Sequence, residues 1–231
     1  PMATGATKKK TWWIAILPFA VFAFTAALLY LPDILVSGPK GIHFIRQTDS
    51  ISFLMNYGRP SWDFFTPAIY SLREAPVNGH AVAEFPLFYY IAAICRDVFG
   101  TPYSSLRSIH LLLVLAGHVL LAFTAGRWLG SISLGSFFSL WMFSSSVTVY
   151  YAANFLPDAA AYGLVLCGMC LFLLGVDMHR SGVINLGLAC LALAGLIKAP
   201  TGIYLIAAMG TGIVCHLDGR PRMGRGNYLV A

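Results

Sequence analysis

The chain is poor in charge. Only 10% of its 231 residues are Asp, Glu, Lys or Arg, nine of them acids, against 58% hydrophobic residues and a mean hydropathy of +0.74. A soluble globule carries about 25% charged residues, so this composition excludes one and points to an integral membrane protein. Familiar chemical signatures are missing as well. No Gly-rich phosphate loop, Gly-x-Ser-x-Gly elbow or His-Glu-x-x-His helix occurs, which removes the P-loop, serine-hydrolase and metalloprotease readings that depend on those backbone geometries. The five cysteines, Cys95, Cys167, Cys170, Cys190 and Cys215, are an odd number lying mostly in apolar stretches, so no disulfide framework is implied. Cys167-Gly-Met-Cys170 has redox-motif spacing, but no histidine or carboxylate neighbours it in sequence, and packing is the simpler account.

What is present is a series of long apolar runs. Stretches 12–31, 109–125, 129–151 and 159–176 each approach or exceed the roughly 17 to 25 residues that carry a helix across the hydrocarbon core. Two shorter runs, 183–197 and 201–215, read as spans packed deep in a bundle or as a re-entrant pair around Lys198 and Pro200. Lys8, Lys9 and Lys10 precede the first run as in a signal peptide. That run is longer than an h-region of about 7 to 15 residues and ends in Leu31-Pro32-Asp33, so it reads as a retained first helix. The expected fold is therefore all-α and integral to a membrane, with about six transmembrane helices.

Threading the basic residues through these spans gives an orientation. With a cytoplasmic N-terminus, Lys8, Lys9, Lys10, Arg127, Arg180, Arg220, Arg222 and Arg225 fall inside with only Asp177 and Asp218, while the remaining seven bases and seven acids balance outside. The whole formal charge of +6 then sits on one face, as the positive-inside bias expects. The basic balance reports topology, and no nucleic-acid partner is implied. Residues 1–11 are expected to form a cytoplasmic tail, with Pro1-Met2 reading as an appended start. Residues 12–216 form the transmembrane module, and 217–231 a basic cytoplasmic tail or truncation point.

The segment 37–106 is the expected first extracytoplasmic loop, and it holds most of the acids. Two interfacial helices are expected in it. One runs over 49–57, preceded by Thr48 and stopped at Gly58-Arg-Pro60. The other runs over 87–99, with Pro86 at its first position and Gly100 at its end, in the interfacial layer that tyrosine and tryptophan favour. Trp62-Asp-Phe-Phe-Thr-Pro67 and Pro76-Val-Asn-Gly79 read as turns.

Asp49, in the opening turn of the first loop helix, is either a general base kept ionised by backbone N–H groups or a helix cap. Glu84, just outside the second, orients an acceptor, binds a cation or pairs with an arginine. Asp158 follows Pro157 at a helix start, as an N-terminal charge or a functional group. Lys198 lies between apolar runs and needs an anionic partner. Arg46, Arg73 and Arg107 are the nearby outer cations, suited to phosphate oxygens or to lipid headgroups. His43 with Asp49 and Glu84 is the one set that approaches a metal site. No sequence signature for a metal accompanies it, so no cofactor is expected beyond a divalent cation if one is used.

Several motifs resemble the GT-C superfamily of membrane glycosyltransferases, in its bacterial branch related to protein O-mannosyltransferases and lipid A aminoarabinose transferases. They are His43-Phe-Ile-Arg46-Gln47-Thr48-Asp49-Ser50, Glu84-Phe-Pro86-Leu-Phe-Tyr-Tyr90 leading to Phe99-Gly100, Arg107, Leu156-Pro-Asp158 and Leu196-Ile-Lys198-Ala-Pro200. The resemblance covers most of 12–216. It implies an inner-membrane enzyme that moves a sugar, with inversion, from a polyprenyl-phosphate donor on the extracytoplasmic face. By the same resemblance Asp49 is the base and Glu84 its acidic assistant, while Lys198, Arg46, Arg107 and Arg73 hold the donor phosphate. His43, Gln47, Asp158 and Tyr89 fall where acceptor or sugar would bind. The acceptor, whether glycan, lipid or protein, is open. Such enzymes commonly continue beyond the conserved module, so a further C-terminal segment or partner subunit is expected. The alternative class is a non-enzymatic polyprenyl-phosphate or lipid binder, flippase-like, in which the cations matter and Asp49 does not. A transporter would need ionisable groups well inside spans, for which His110 and His118 are the candidates.

Overall fold

The computed structural model describes residues 20, 23–24, 27–28, 32–58, 62–69, 84–99 and 101–217. Among these residues every regular element is helical and no strand occurs. After a short α1, Pro32–Val36, come α2 (Phe44–Asn56) and α3 (Leu87–Phe99), followed by α4 (Pro102–Trp128), α5 (Ile132–Phe143), α6 (Ser146–Ala152), α7 (Pro157–Asp177), α8 (Ser181–Ile197) and α9 (Gly202–Leu217). A 3-10 turn, Ala199–Thr201, separates the last two.

The starts of the helices follow from local chemistry. Thr101 sits in extended conformation and accepts from Ser104 N, with Pro102 at the first helical position of α4. Pro157 does the same for α7, and places Asp158 in its first turn. Ser131 and Ser145 cap α5 and α6. This last cap breaks the expected continuous run at 129–151. Ser144 returns its hydroxyl to Trp141 O at 2.8 Å while Ser145 receives Thr148 N at 3.2 Å, so one helix closes and another opens at a 75° bend.

Helices α4 and α7 are long and apolar enough to cross a membrane, and α5 with α6 makes a third if the bent pair is one span. Helices α8 and α9, at 17 and 16 residues, fall short of that length. Most of the expected first span, 12–31, lies outside the described residues. The described helices thus give two or three membrane crossings where six are expected.

α4 and α7 run parallel, because Leu113 midway along α4 faces Gly163 in the first half of α7 while Arg127 pairs with Asp177 at their far ends. α5 returns antiparallel along α4, and α8 antiparallel along α7. Glycine sets these distances. A methyl group at Gly163 would lie 2.7 Å from the Leu113 backbone, and one at Gly187 2.6 Å from Phe172 N. In lipid, apolar side chains gain little by leaving their solvent, so close backbone approach at small residues supplies the packing. Outward faces stay apolar: Phe137 and Trp141 on α5 and Ile203 and Ile206 on α9 are exposed, as lipid contact requires.

Helices α2 and α3 cap the Pro102 end of this layer. Ile51, Phe53 and Leu54 of α2, Tyr57 just after it, and Tyr89, Ala92 and Ala93 of α3 form one core with Leu106 and Phe155. The core fixes α2 and α3 against the apolar helix layer, and so determines which polar groups meet there.

Candidate functional site

α2 begins at Phe44, not at Asp49. His43 precedes it in the left-handed conformation, with φ 63°. The buried Gln47 amide donates to Lys40 O and Ile42 O, both at 2.9 Å, and so folds the preceding turn onto the helix. Thr48 bonds back to Phe44 O, as a residue inside a helix does. Asp49 therefore stands in the second turn of α2, and no acid occupies the first. The dipole effect fades beyond the first turn, so it supports neither the helix-cap reading of Asp49 nor its ionisation.

The same placement puts Arg46, Asp49 and Ser50 on one side of α2, since residues three and four apart are neighbours on a helix. Arg46 Nη2 reaches Glu84 Oε1 at 3.1 Å. Ser50 donates to Arg46 O at 3.0 Å, which leaves its oxygen to accept the Tyr89 hydroxyl at 3.2 Å. Burial pushes the Tyr89 phenol up; the Ser50 hydrogen bond opposes this, Glu84 adds to it, Arg46 lowers it and Asp158 raises it. Four groups expected to act together, Arg46, Glu84, Tyr89 and Asp158, thus share one electrostatic neighbourhood. Asp49 is partly buried beside them on α2 and has a partner of its own.

The second cluster joins α7 to the break after α8. Lys198 Nζ meets Asp158 Oδ1 at 3.2 Å and Oδ2 at 3.3 Å, and this carboxylate is the anionic partner the lysine needs. Asp158 also lines a cavity of about 340 Å³ together with Val147, Thr148, Tyr151, Ala152, Ala159 and Tyr162. At its rim the Tyr151 hydroxyl meets His43 Nε2 at 3.3 Å, and Tyr150 donates to Ile42 O at 2.6 Å. Below, Tyr162 meets His118 Nε2 at 3.2 Å. His118 Nδ1 lies 3.2 Å from Ser139, whose hydroxyl is committed to His118 O, so the ring donates through Nδ1 and accepts from Tyr162.

Arg107 takes a different position. It is 4% exposed, stacks 4.1 Å from the Phe155 ring, and donates to Ser37 Oγ at 3.0 Å and Gly38 O at 3.4 Å. Its Nε has no partner, and among the described residues no ion pair links it to a carboxylate. One turn on, His110 Nδ1 donates to Asn154 O at 2.9 Å while its buried Nε2 is unpaired. Arg107 and His110 therefore hold the 154–155 link that delivers Pro157 and Asp158. Gln47 is likewise spent on a turn. Arg73 lies outside the described residues. Among those described, no three His, Cys, Asp or Glu side chains gather to hold a metal, so His43, Asp49 and Glu84 do not form such a set.

Sequence reasoning missed Thr148 and Tyr151, because it carried 129–151 through as one span, and Tyr162, because it lay inside the apolar run 159–176. The serine triplet Ser144-Ser145-Ser146 was the available signal for a break. What the arrangement offers is Arg46 and Lys198 with Asp49, Glu84 and Asp158 at one end of an apolar helix layer, beside an open cavity whose lining includes the hydroxyls of Thr148, Tyr151 and Tyr162. No family model matches the chain, and neither the curated proteins nor the solved structures include a match to it.

Proposed function

We propose that the chain is an inverting glycosyltransferase module of the GT-C kind, set in the inner membrane by about six helices, with 37–106, Asp158 and Lys198 on the extracytoplasmic side. Its donor is a sugar on polyprenyl phosphate. One observation carries this reading: Asp49 shares a side of α2 with Arg46 and Ser50, whose contacts reach Glu84 and Tyr89. Helical spacing thereby sets a carboxylate on the same side as a cation at the end of an apolar layer, where a membrane-borne phosphate would lie.

In this reading the acceptor oxygen attacks the anomeric carbon as the bond from that carbon to the phosphate oxygen breaks. The acceptor proton passes to Asp49, and polyprenyl phosphate leaves with the bonding electrons. A positioned base contributes about 10²- to 10⁴-fold. Lys198 and Arg46 offset the charge that grows on the leaving phosphate. Arg107 serves as support for the Asp158 segment.

Native mass spectrometry of protein extracted in mild detergent is expected to reveal a co-purified polyprenyl-phosphate sugar. Asp49→Asn should keep that adduct and lose transfer by about a hundredfold or more. Near-normal transfer in Asp49→Asn sinks the assignment of the base. Retained lipid with no transfer by either protein favours the non-enzymatic lipid-binding alternative.

A further inference from the structure

Asp158 is engaged in two places at once. Both its oxygens lie on the Lys198 ammonium, and its side chain also forms part of the wall of the 340 Å³ cavity. Lys198 is not part of that wall. A carboxylate neutralised by an ammonium is a weaker acceptor for other donors than a free one, so the ion pair holds back the one charged group that lines the cavity among the described residues.

The lysine is built to change partners. Its backbone is fixed where the chain leaves α8, with its carbonyl accepting from Thr201 N at 2.9 Å and Thr201 Oγ1 at 2.7 Å. The ammonium, by contrast, stands at the end of a flexible four-carbon stem and has three donors, of which two carboxylate oxygens occupy at most two. Its side chain is 23% exposed and that of Asp158 33%, and pairs this open hold their partners weakly. A phosphate brings more charge and more oxygens to the same donors. The other ion pair near the site does not offer the same exchange, because neither Arg46 nor Glu84 lines the cavity.

We propose that a phosphate-bearing ligand displaces Asp158 from Lys198, and that the displaced carboxylate turns into the cavity beside Thr148, Tyr151 and Tyr162. The proposal rests on the reading of the chain as a binder of lipid phosphate and adds an order of events to it: the anion arrives first, and only then does the cavity gain an uncompensated acceptor for hydroxyl groups. One anion replaces another at the ammonium, and no covalent bond changes.

The test is binding of farnesyl phosphate, and separately of inorganic phosphate, to the full chain in detergent by calorimetry. Asp158→Asn should bind about three- to fivefold more tightly than the unsubstituted protein, the gain expected from removing one weakly held competitor. Asp158→Glu should restore the original affinity, which a merely structural role for Asp158 would not produce alongside the tighter Asn variant. Lys198→Met should bind about tenfold more weakly or worse. A larger gain with farnesyl phosphate identifies a lipid phosphate as the ligand, and an equal gain identifies the free anion as sufficient. Unchanged or weaker binding by Asp158→Asn overturns the exchange, as does binding lost in Arg46→Met but kept in Lys198→Met. In both of those cases the glycosyltransferase reading survives. Binding of neither probe by the unsubstituted protein overturns both.

Discussion

Helix α7 carries an ion pair at each end, and the two pairs are about equally screened from solvent. Asp158 and Lys198 are 33% and 23% exposed, Asp177 and Arg127 12% and 32%. Burial alone would treat them as equivalent. Their surroundings separate them. The Arg127–Asp177 pair clasps α4 to α7, and neither of its residues lines the cavity. The Asp158–Lys198 pair faces a cavity and lies near the Arg46–Glu84 pair and the Tyr89 hydroxyl. An ion pair away from that cavity acts as a fastener, and one on its wall as an exchangeable group.

That contrast can be broken by experiment. The largest effect belongs to Lys198→Met, expected to lower transfer by about a hundredfold while the purified protein stays folded; a loss below about threefold would make this end a fastener too. Next comes His110→Leu, which leaves the Asn154 carbonyl buried without its donor and should cost about 1–3 kcal/mol in denaturation. Full stability there would show that the link before Asp158 does not depend on α4. Tyr89→Phe should cost about 1 kcal/mol with transfer kept, since Ser50 retains its bond to Arg46 O. A transfer defect without destabilisation would instead bring the Tyr89 hydroxyl into the reaction. Arg127→Met should be the mildest, costing under about 1 kcal/mol with transfer unchanged.

Local signals were legible in the sequence, and their partners were not. The helix expected over 87–99 is α3, and the proline before Asp158 opens α7 as expected, because proline and capping chemistry act over a few residues. Lys198 announced its need for an anion, but nothing in the spacing of 158 and 198 named Asp158 as the answer. α2 was misread because a threonine hydroxyl serves equally well as a cap and as a bond back to the previous turn. The helix starts just after His43, a residue in left-handed backbone for which sequence carries only a faint preference. Arg107 looked like a phosphate ligand by type and by place in the chain. Its burial against Phe155 depends on α4 meeting the link before α7, a long-range event that no local pattern encodes.

The glycine seam also limits how such a sequence can diverge. Gly117, Gly163, Gly168, Gly175 and Gly187 meet neighbouring atoms at distances no added carbon could share, whereas Gly182, Gly210 and Gly212 face open space. Among relatives of this chain, alanine should therefore appear freely at the second set and scarcely at the first. The spacing of invariant glycines along α4, α7 and α8 would then serve as the lineage's most durable fingerprint, outlasting the apolar residues around them, which lipid accepts in almost any order.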